Sequence, residues 1–85
     1  MVEKGDLVAI FHSIHRVMKA EKVLKGEGAA FQLIPVPRQL SSDCGLAIRY
    51  AGGHGAEIMA VLQRERLRPA ELYRFDGTDF QREDI

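Results

Sequence analysis

Residues 7–12, Leu-Val-Ala-Ile-Phe-His, form an apolar run that is too short for a helix and is typical of a central strand. Val8 and Ile10 lie on one face of this strand, and Leu7, Ala9 and Phe11 lie on the other, so both faces are apolar. Such a pattern indicates burial on both sides of a sheet. We therefore expect helices to cover one face, and a second copy of the chain or a partner protein to cover the other.

A helix is predicted directly after this strand. The hydroxyl of Ser13 can accept hydrogen bonds from N–H groups in a first helical turn. The helix is expected to end where Lys25 meets Gly26, because a cation and then a glycine suit a helix C-terminus. The residues expected on its buried face are Ile14, Val17, Met18 and Leu24.

The remaining elements follow from alternation with a period of two, helical spacing and turn residues. They are strands at 30–34, 46–50 and 71–75, and a second helix over roughly 55–66. The usual solution for the order β-α-β-β-α-β is the α+β ferredoxin-like sandwich, a four-stranded antiparallel sheet with both helices on one face. Its strand order, 4-1-3-2, allows both crossovers to be right-handed.

Length and composition restrict the classes of protein that this chain can belong to. With 85 residues, the chain is long enough for one domain, which we expect over 1–75, with a frayed polar tail at 76–85. The formal net charge is zero, whereas nucleic-acid-binding proteins usually carry a basic excess. The sequence has no apolar run that could span a membrane and no signal peptide, and it has a single cysteine; we therefore expect a cytoplasmic protein.

The only cysteine, Cys44, lies in a loop at residues 35–45. In the expected topology the end of the first strand lies beside the start of the third, so His12 and Ser13 should lie next to Cys44. The N-terminus of the first helix, at the same end, offers free N–H donors and a partial positive charge. These groups stabilise a thiolate and make a cysteine reactive. They would also hold an anion such as a phosphate or a selenium oxyanion.

Other residues are candidates to assist the thiol. His12, His15 and Arg38 can add positive charge if they face Cys44, and Gly45 would leave the approach to the sulfur free of a side chain. Ser13 and Ser42 are further candidates to stabilise the thiolate or a bound anion. Simpler roles stay open: packing in the core for Cys44, a strand end for His12, exposure to solvent for His15 and His54, loop capping for Arg38, and turn formation for Ser41, Ser42 and Asp43. The spacing predicts no metal site, and we expect no cofactor, since nucleotide-binding and hydrolase motifs are absent.

Three stretches carry a family resemblance: Ala20-Glu21-Lys22-Val23-Leu24-Lys25, Leu33-Ile34-Pro35-Val36-Pro37-Arg38 and Ser41-Ser42-Asp43-Cys44-Gly45-Leu46-Ala47-Ile48. With these blocks the chain resembles the small bacterial selenium/sulfur carrier protein-like family over about residues 7–75. The resemblance implies transient carriage of sulfur or selenium on Cys44 as a persulfide or perselenide. It also implies that the family pattern includes Pro37, Arg38, Ser42, Cys44 and Gly45.

Two kinds of function follow. As a carrier, the chain would be loaded by a cysteine desulfurase or a selenium-handling enzyme, as the resemblance implies, and would be more a carrier or binding protein than a true enzyme. The alternative is a small-molecule-binding or regulatory protein-interaction module without catalytic chemistry, in which Cys44 only packs. A structural subunit, or a homodimer formed through the open sheet face, is a third interpretation.

Overall fold

A computed structural model describes residues 2–85 and contains two α-helices and an antiparallel sheet of five strands. The elements are β1 (Asp6–Ile10), α1 (Ile14–Gly26), β2 (Gln32–Pro35), β3 (Leu46–Ala51), α2 (Gly55–Arg64), β4 (Glu71–Phe75) and β5 (Phe80–Glu83), with a 3-10 turn at Gly52–His54 before α2. Within this described part, neither helix combines the length and the apolar character needed to cross a membrane.

The sheet has the order β2-β3-β1-β4-β5. The α+β class and the expected order of the first four strands are confirmed, with β1 between β3 and β4. Ile10 lies opposite Ala47 of β3 and opposite Glu71 of β4. The end of β1 therefore lies beside the residues that precede β3 and beside the start of β4.

The predicted number of strands, four, is wrong because residues 80–83 of the expected polar tail form β5 and pair with β4. A tight turn makes this pairing possible. The carboxylate of Asp76 accepts hydrogen bonds from the backbone N–H groups of Thr78 and Asp79, each at 2.8 Å, and these bonds lower its pKa. Phe75 and Phe80 then pack against each other across the hairpin, with ring centroids 4.8 Å apart and the ring planes tilted by 41°.

Both helices pack on one face of the sheet. Ser13 caps α1 as predicted, since its side chain accepts a hydrogen bond from the backbone N–H of Arg16. The buried stripe of α1 differs from the prediction, because Ile14 and Met18 are 45% and 41% exposed. The core on this helix face is formed by Ala9, Phe11, Val17, Ala20, Leu24, Ile48, Tyr50, Ile58, Leu62, Leu67 and Leu72. Ala20 is buried on the sheet side of α1, whereas the larger side chains of Ile14 and Met18 point away from it.

The opposite face of the sheet has a second, smaller core. Val8, Ile10 and Ala47 are completely buried there. The residues that cover them come from the N-terminal segment, β2, the following loop and the last two strands: Val2, Ile34, Val36, Leu40, Tyr73 and Phe80. The chain itself therefore supplies the cover that an apolar strand needs on both faces, and the apolar pattern of β1 gives no separate reason to expect a second copy.

Candidate functional site

The loop that carries Cys44 is built from two consecutive turns. In the first turn, the N–H of Leu40 donates to the carbonyl of Pro37 at 2.9 Å. In the second, the N–H of Gly45 donates to the carbonyl of Ser42 at 3.4 Å, so Cys44 lies inside a tight turn just before β3. Gly45 has a φ of 75°, in the left-handed region that glycine enters without steric cost. No atom lies within 4 Å of where its Cβ would be, so the requirement for glycine here is conformational.

The Cys44 side chain is half-buried and packs against the core on the helix face. Its Sγ lies 3.5 Å from Oγ of Ser42 and 3.5 Å from the carbonyl oxygen of Leu46, to which the thiol can donate. The backbone N–H of Cys44 donates to the same Ser42 Oγ at 3.4 Å. Because Ser42 accepts from this N–H, its hydroxyl hydrogen is available to donate to the sulfur.

His12 joins this turn to the sheet. Its Nδ1 accepts a hydrogen bond from the backbone N–H of Asp43 at 3.4 Å, and its Nε2 lies 2.5 Å from Oε2 of Glu71. A ring nitrogen that accepts from an N–H carries no hydrogen, so the geometry suits a tautomer with its hydrogen on Nε2, facing Glu71. His12 is also one of the non-glycine residues with a positive φ, at 59°.

Glu71 and Tyr73 extend the hydrogen-bonded group along β4. The Tyr73 hydroxyl donates to Oε1 of Glu71 at 2.6 Å, and Arg82 Nη1 lies 3.9 Å from the same oxygen. Hydrogen bonds from His12 and then Tyr73 lower the pKa of Glu71, and the bond to Glu71 raises the pKa of Tyr73. Neither residue stands out in the sequence as a candidate site residue. The available signal was the strand order, which brings the start of β4 to the end of β1.

The structure brings together only some of the residues expected around the thiol. Ser42 contacts the sulfur, and His12 contacts the backbone of the adjacent Asp43. The side chain of Ser13 caps α1, while His15 and Arg38 are exposed. Within residues 2–85, the hydrogen-bond partners of Cys44 Sγ are Ser42 and Leu46.

The two parts of the loop pack on different faces of the sheet. Val36 and Leu40, on either side of the turn that holds Arg38, pack against the core on the open face. Cys44 packs against the core on the helix face. The loop therefore passes from one face of the sheet to the other between these residues, and Ser42 rather than Arg38 is the polar side chain placed at the sulfur.

The described part of the chain contains no cluster of three or more histidine, cysteine or acidic side chains that could hold a metal ion. A concave surface beside α1, lined by Lys19, Lys22, Glu27 and Arg64 among others, does not include the Cys44 turn. The chemistry available at this turn is therefore that of one thiol, one hydroxyl and the histidine–carboxylate pair next to them.

A family model described as "Putative Se/S carrier protein-like" matches residues 6–74. The chain belongs to this family. A curated relative, the uncharacterised protein YtiA of Escherichia coli (strain K12), is 33% identical over 57 residues, which cover 67% of each protein. No solved structure matches the chain. The resemblance that the sequence blocks predicted is thereby confirmed.

The match to the Se/S carrier-like family covers most of the fold. It runs from Asp6 at the start of β1 to Arg74 in β4 and includes the entire Cys44 turn, His12 and Glu71. The fifth strand, β5, lies beyond it. The residues that carry the resemblance between Pro37 and Gly45 all lie in the loop between β2 and β3.

Proposed function

We propose that this Se/S carrier-like protein holds a sulfur or selenium atom on Cys44 as a persulfide or perselenide. Membership of the family supports the class of cargo. The observation that carries the proposal is the Ser42 hydroxyl at 3.5 Å from Cys44 Sγ, with its hydrogen free to donate. A hydrogen bond to the charged form of a group favours that form, so on this proposal Ser42 stabilises the thiolate that attacks the donor.

Loading on this proposal is a transfer of one sulfane atom. The Cys44 thiolate attacks the terminal sulfur of a persulfide on a donor enzyme. A new S–S bond forms at Cys44, the S–S bond of the donor breaks, and the donor cysteine leaves as a thiolate. Atoms and electrons balance without an external oxidant or reductant, and the same exchange applies when the terminal atom is selenium.

The donor that fits this chemistry is an enzyme that itself carries a cysteine persulfide or perselenide. We propose a cysteine desulfurase or a selenium-handling enzyme in this role. The half-buried position of Cys44 means that such a donor must contact the Ser42–Gly45 turn closely to reach the sulfur. The carrier then needs no cofactor of its own, since the transferred atom arrives already activated.

The direct test is mass spectrometry of the protein after incubation with a cysteine desulfurase and cysteine. Wild-type protein should gain one sulfur atom on Cys44, and Cys44→Ala should gain none. Ser42→Ala should be loaded about tenfold more slowly, because it lacks a hydrogen bond to a charged sulfur. Ser41→Ala removes the neighbouring exposed hydroxyl and serves as the matched control, with loading at the wild-type rate.

The absence of any sulfur gain on wild-type protein would contradict the proposal, provided that a carrier of known activity is loaded in the same reaction. Equal loading rates of the Ser42→Ala and Ser41→Ala variants would show that the Ser42 hydroxyl does not assist loading.

A second candidate function has its own support. Cys44 packs against the core on the helix face, and its thiol can donate to the carbonyl of Leu46. Both features suit a small structural residue in a binding or regulatory module. The rate of alkylation as a function of pH separates the two functions. Rapid alkylation of Cys44 at pH ~6 favours the carrier, and slow alkylation up to pH ~8.5, the usual pKa of a thiol, favours the binding module.

A further inference from the structure

A continuous series of hydrogen bonds connects β4 to the Cys44 turn. It begins at the Tyr73 hydroxyl, passes through both oxygens of the Glu71 carboxylate, crosses the His12 ring and ends at the backbone N–H of Asp43. The two bonds at Glu71 measure 2.6 and 2.5 Å, and the bond from Asp43 to the ring measures 3.4 Å. His12 and Glu71 are 59 positions apart in sequence, so they meet only because β1 and β4 are neighbours in the folded sheet.

The backbone of His12 indicates that this arrangement is held in place by its surroundings. His12 has a φ of 59°, a left-handed conformation that is uncommon for a residue with a side chain. Such a conformation persists only where neighbouring contacts determine it. Here it places the ring between Glu71 on one side and the Asp43 amide on the other.

We propose that Glu71 and His12 are positioning residues for Cys44: the carboxylate fixes the tautomer of the His12 ring, and the ring holds the Asp43 amide and with it the turn that presents the sulfur. The contacts of His12 with Glu71 and Asp43 support its role in holding the turn. The expected effect on sulfur loading rests on the proposed carrier function.

The protonation states of the group explain why both residues are needed. Glu71 stays a carboxylate, since the bonds from His12 and Tyr73 lower its pKa, and it therefore accepts the hydrogen on Nε2. Nδ1 is then left as the acceptor for the Asp43 N–H. A protonated ring would carry hydrogen on both nitrogens and could no longer accept from Asp43. Among titratable groups, Glu71 contacts the ring directly, and Tyr73 and Arg82 contact Glu71 in turn. Asp43 contacts the ring through its backbone N–H.

The test uses three variants and one matched control. Glu71→Ala removes the acceptor. Glu71→Gln keeps one, since the amide oxygen can accept from His12 while its NH₂ group donates to the Tyr73 hydroxyl, which can also accept. His12→Asn removes the ring but retains a residue that tolerates a left-handed φ. The control, Glu57→Ala, breaks the exposed His54–Glu57 pair at 2.9 Å, which is the same kind of contact outside this turn.

The primary measurement is hydrogen exchange of the Asp43 amide. Exchange should be on the order of tenfold faster in Glu71→Ala and His12→Asn, the effect of losing one hydrogen bond at a charged network. It should stay near the wild-type rate in Glu71→Gln and in Glu57→Ala. In addition, ¹⁵N NMR of the wild-type His12 ring should show the hydrogen on Nε2 and an unprotonated Nδ1. Near-wild-type exchange in Glu71→Gln, which keeps the acceptor for His12, distinguishes this role of Glu71 from a purely structural one.

An Nδ1–H tautomer in the wild-type protein would overturn the proposal without any variant. Unchanged Asp43 exchange in both Glu71→Ala and His12→Asn would also overturn it. Sulfur loading separates this proposal from the carrier function: slower loading of Glu71→Ala than of Glu57→Ala supports both. Wild-type protein with the expected tautomer and Asp43 protection, but without sulfur on Cys44, supports the positioning of the turn and refutes the carrier.

Discussion

At the scale of single residues, Tyr50 is the residue whose polar group is least well accommodated. The side chain is 1% exposed and lies in the core on the helix face. Its hydroxyl is buried without a hydrogen-bond partner among residues 2–85. Burial also raises the pKa of Tyr50 to about 12, since the interior disfavours the charged phenolate. The ring contributes to packing, whereas the hydroxyl opposes folding.

We therefore expect Tyr50→Phe to raise the free energy of unfolding by about 1 kcal/mol, because the fold no longer has to desolvate an unpaired hydroxyl. Urea denaturation measures the change. Tyr73→Phe is the matched comparison, because it removes a hydroxyl that donates to Glu71, and it should lower the free energy of unfolding. A loss of stability in Tyr50→Phe similar to that in Tyr73→Phe would contradict this account.

Residue-scale features were predictable where the signal is local. The cap formed by Ser13 depends on a hydroxyl at a helix start, which the sequence displays directly. The placement of His12 next to the Cys44 turn depends on a longer-range signal, the strand order expected for this succession of elements. By contrast, the exposure of His15 and Arg38 depends on side-chain direction around a helix and a turn, which residue type does not specify.

At the scale of secondary-structure elements, β5 is the largest difference from the prediction. Its sequence, Phe-Gln-Arg-Glu, has one apolar residue, so no alternation identifies it as a strand. It forms because β4 offers a free edge, the Asp76 turn reverses the chain, and Phe80 gains a partner in Phe75. Arg74 of β4 and Glu83 of β5 form an ion pair across the same hairpin. A polar edge strand of this kind is stabilised by its neighbour rather than by its own pattern.

Phe80→Ala should lower the free energy of unfolding by about 2 kcal/mol, less than a fully buried phenylalanine would cost, because Phe80 is only partly buried. Thermal or urea denaturation measures the change. Ile85→Ala removes another apolar side chain from the same segment, but one that is exposed and lies beyond β5, and should leave stability unchanged. Equal stability of both variants would mean that residues 80–83 behave as the frayed tail.

At the scale of the whole molecule, the loop between β2 and β3 has two tasks. Its first part covers the open face of the sheet through Val36 and Leu40, and its second part presents Cys44 on the other face. The cover and the candidate site are therefore portions of one connected segment. Loss of packing at Leu40 is expected to affect stability first and the Cys44 turn second.

Leu40→Ala should lower the free energy of unfolding by about 1–2 kcal/mol, since a half-buried leucine contributes part of the value of a fully buried one. The measurement is again urea denaturation. Gln39→Ala, at an exposed position in the same turn, is the control and should change little. If Leu40→Ala were as stable as Gln39→Ala, the loop would not contribute to burying Val8 and Ile10.

The sequence by itself determined the class of the fold, the strands at 46–50 and 71–75, the capped first helix, the order of the first four strands and the family. The strands, the cap and the family depend on hydrophobic period, capping residues and local motifs, all of which are read within a few neighbouring positions. The strand order follows from the succession of elements, because right-handed crossovers leave few arrangements of the sheet.

Only the tertiary structure decided which side chains meet around Cys44. The sequence predicted that its loop lies beside His12 and offered Ser42 as a candidate partner of the thiol. It did not predict that Glu71 would hold the ring, or that the loop would cross from one face of the sheet to the other. The physical reason is distance along the chain. A contact such as that between His12 and Glu71 depends on strand register and on the direction of each side chain, and both are set by the packing of the whole sheet.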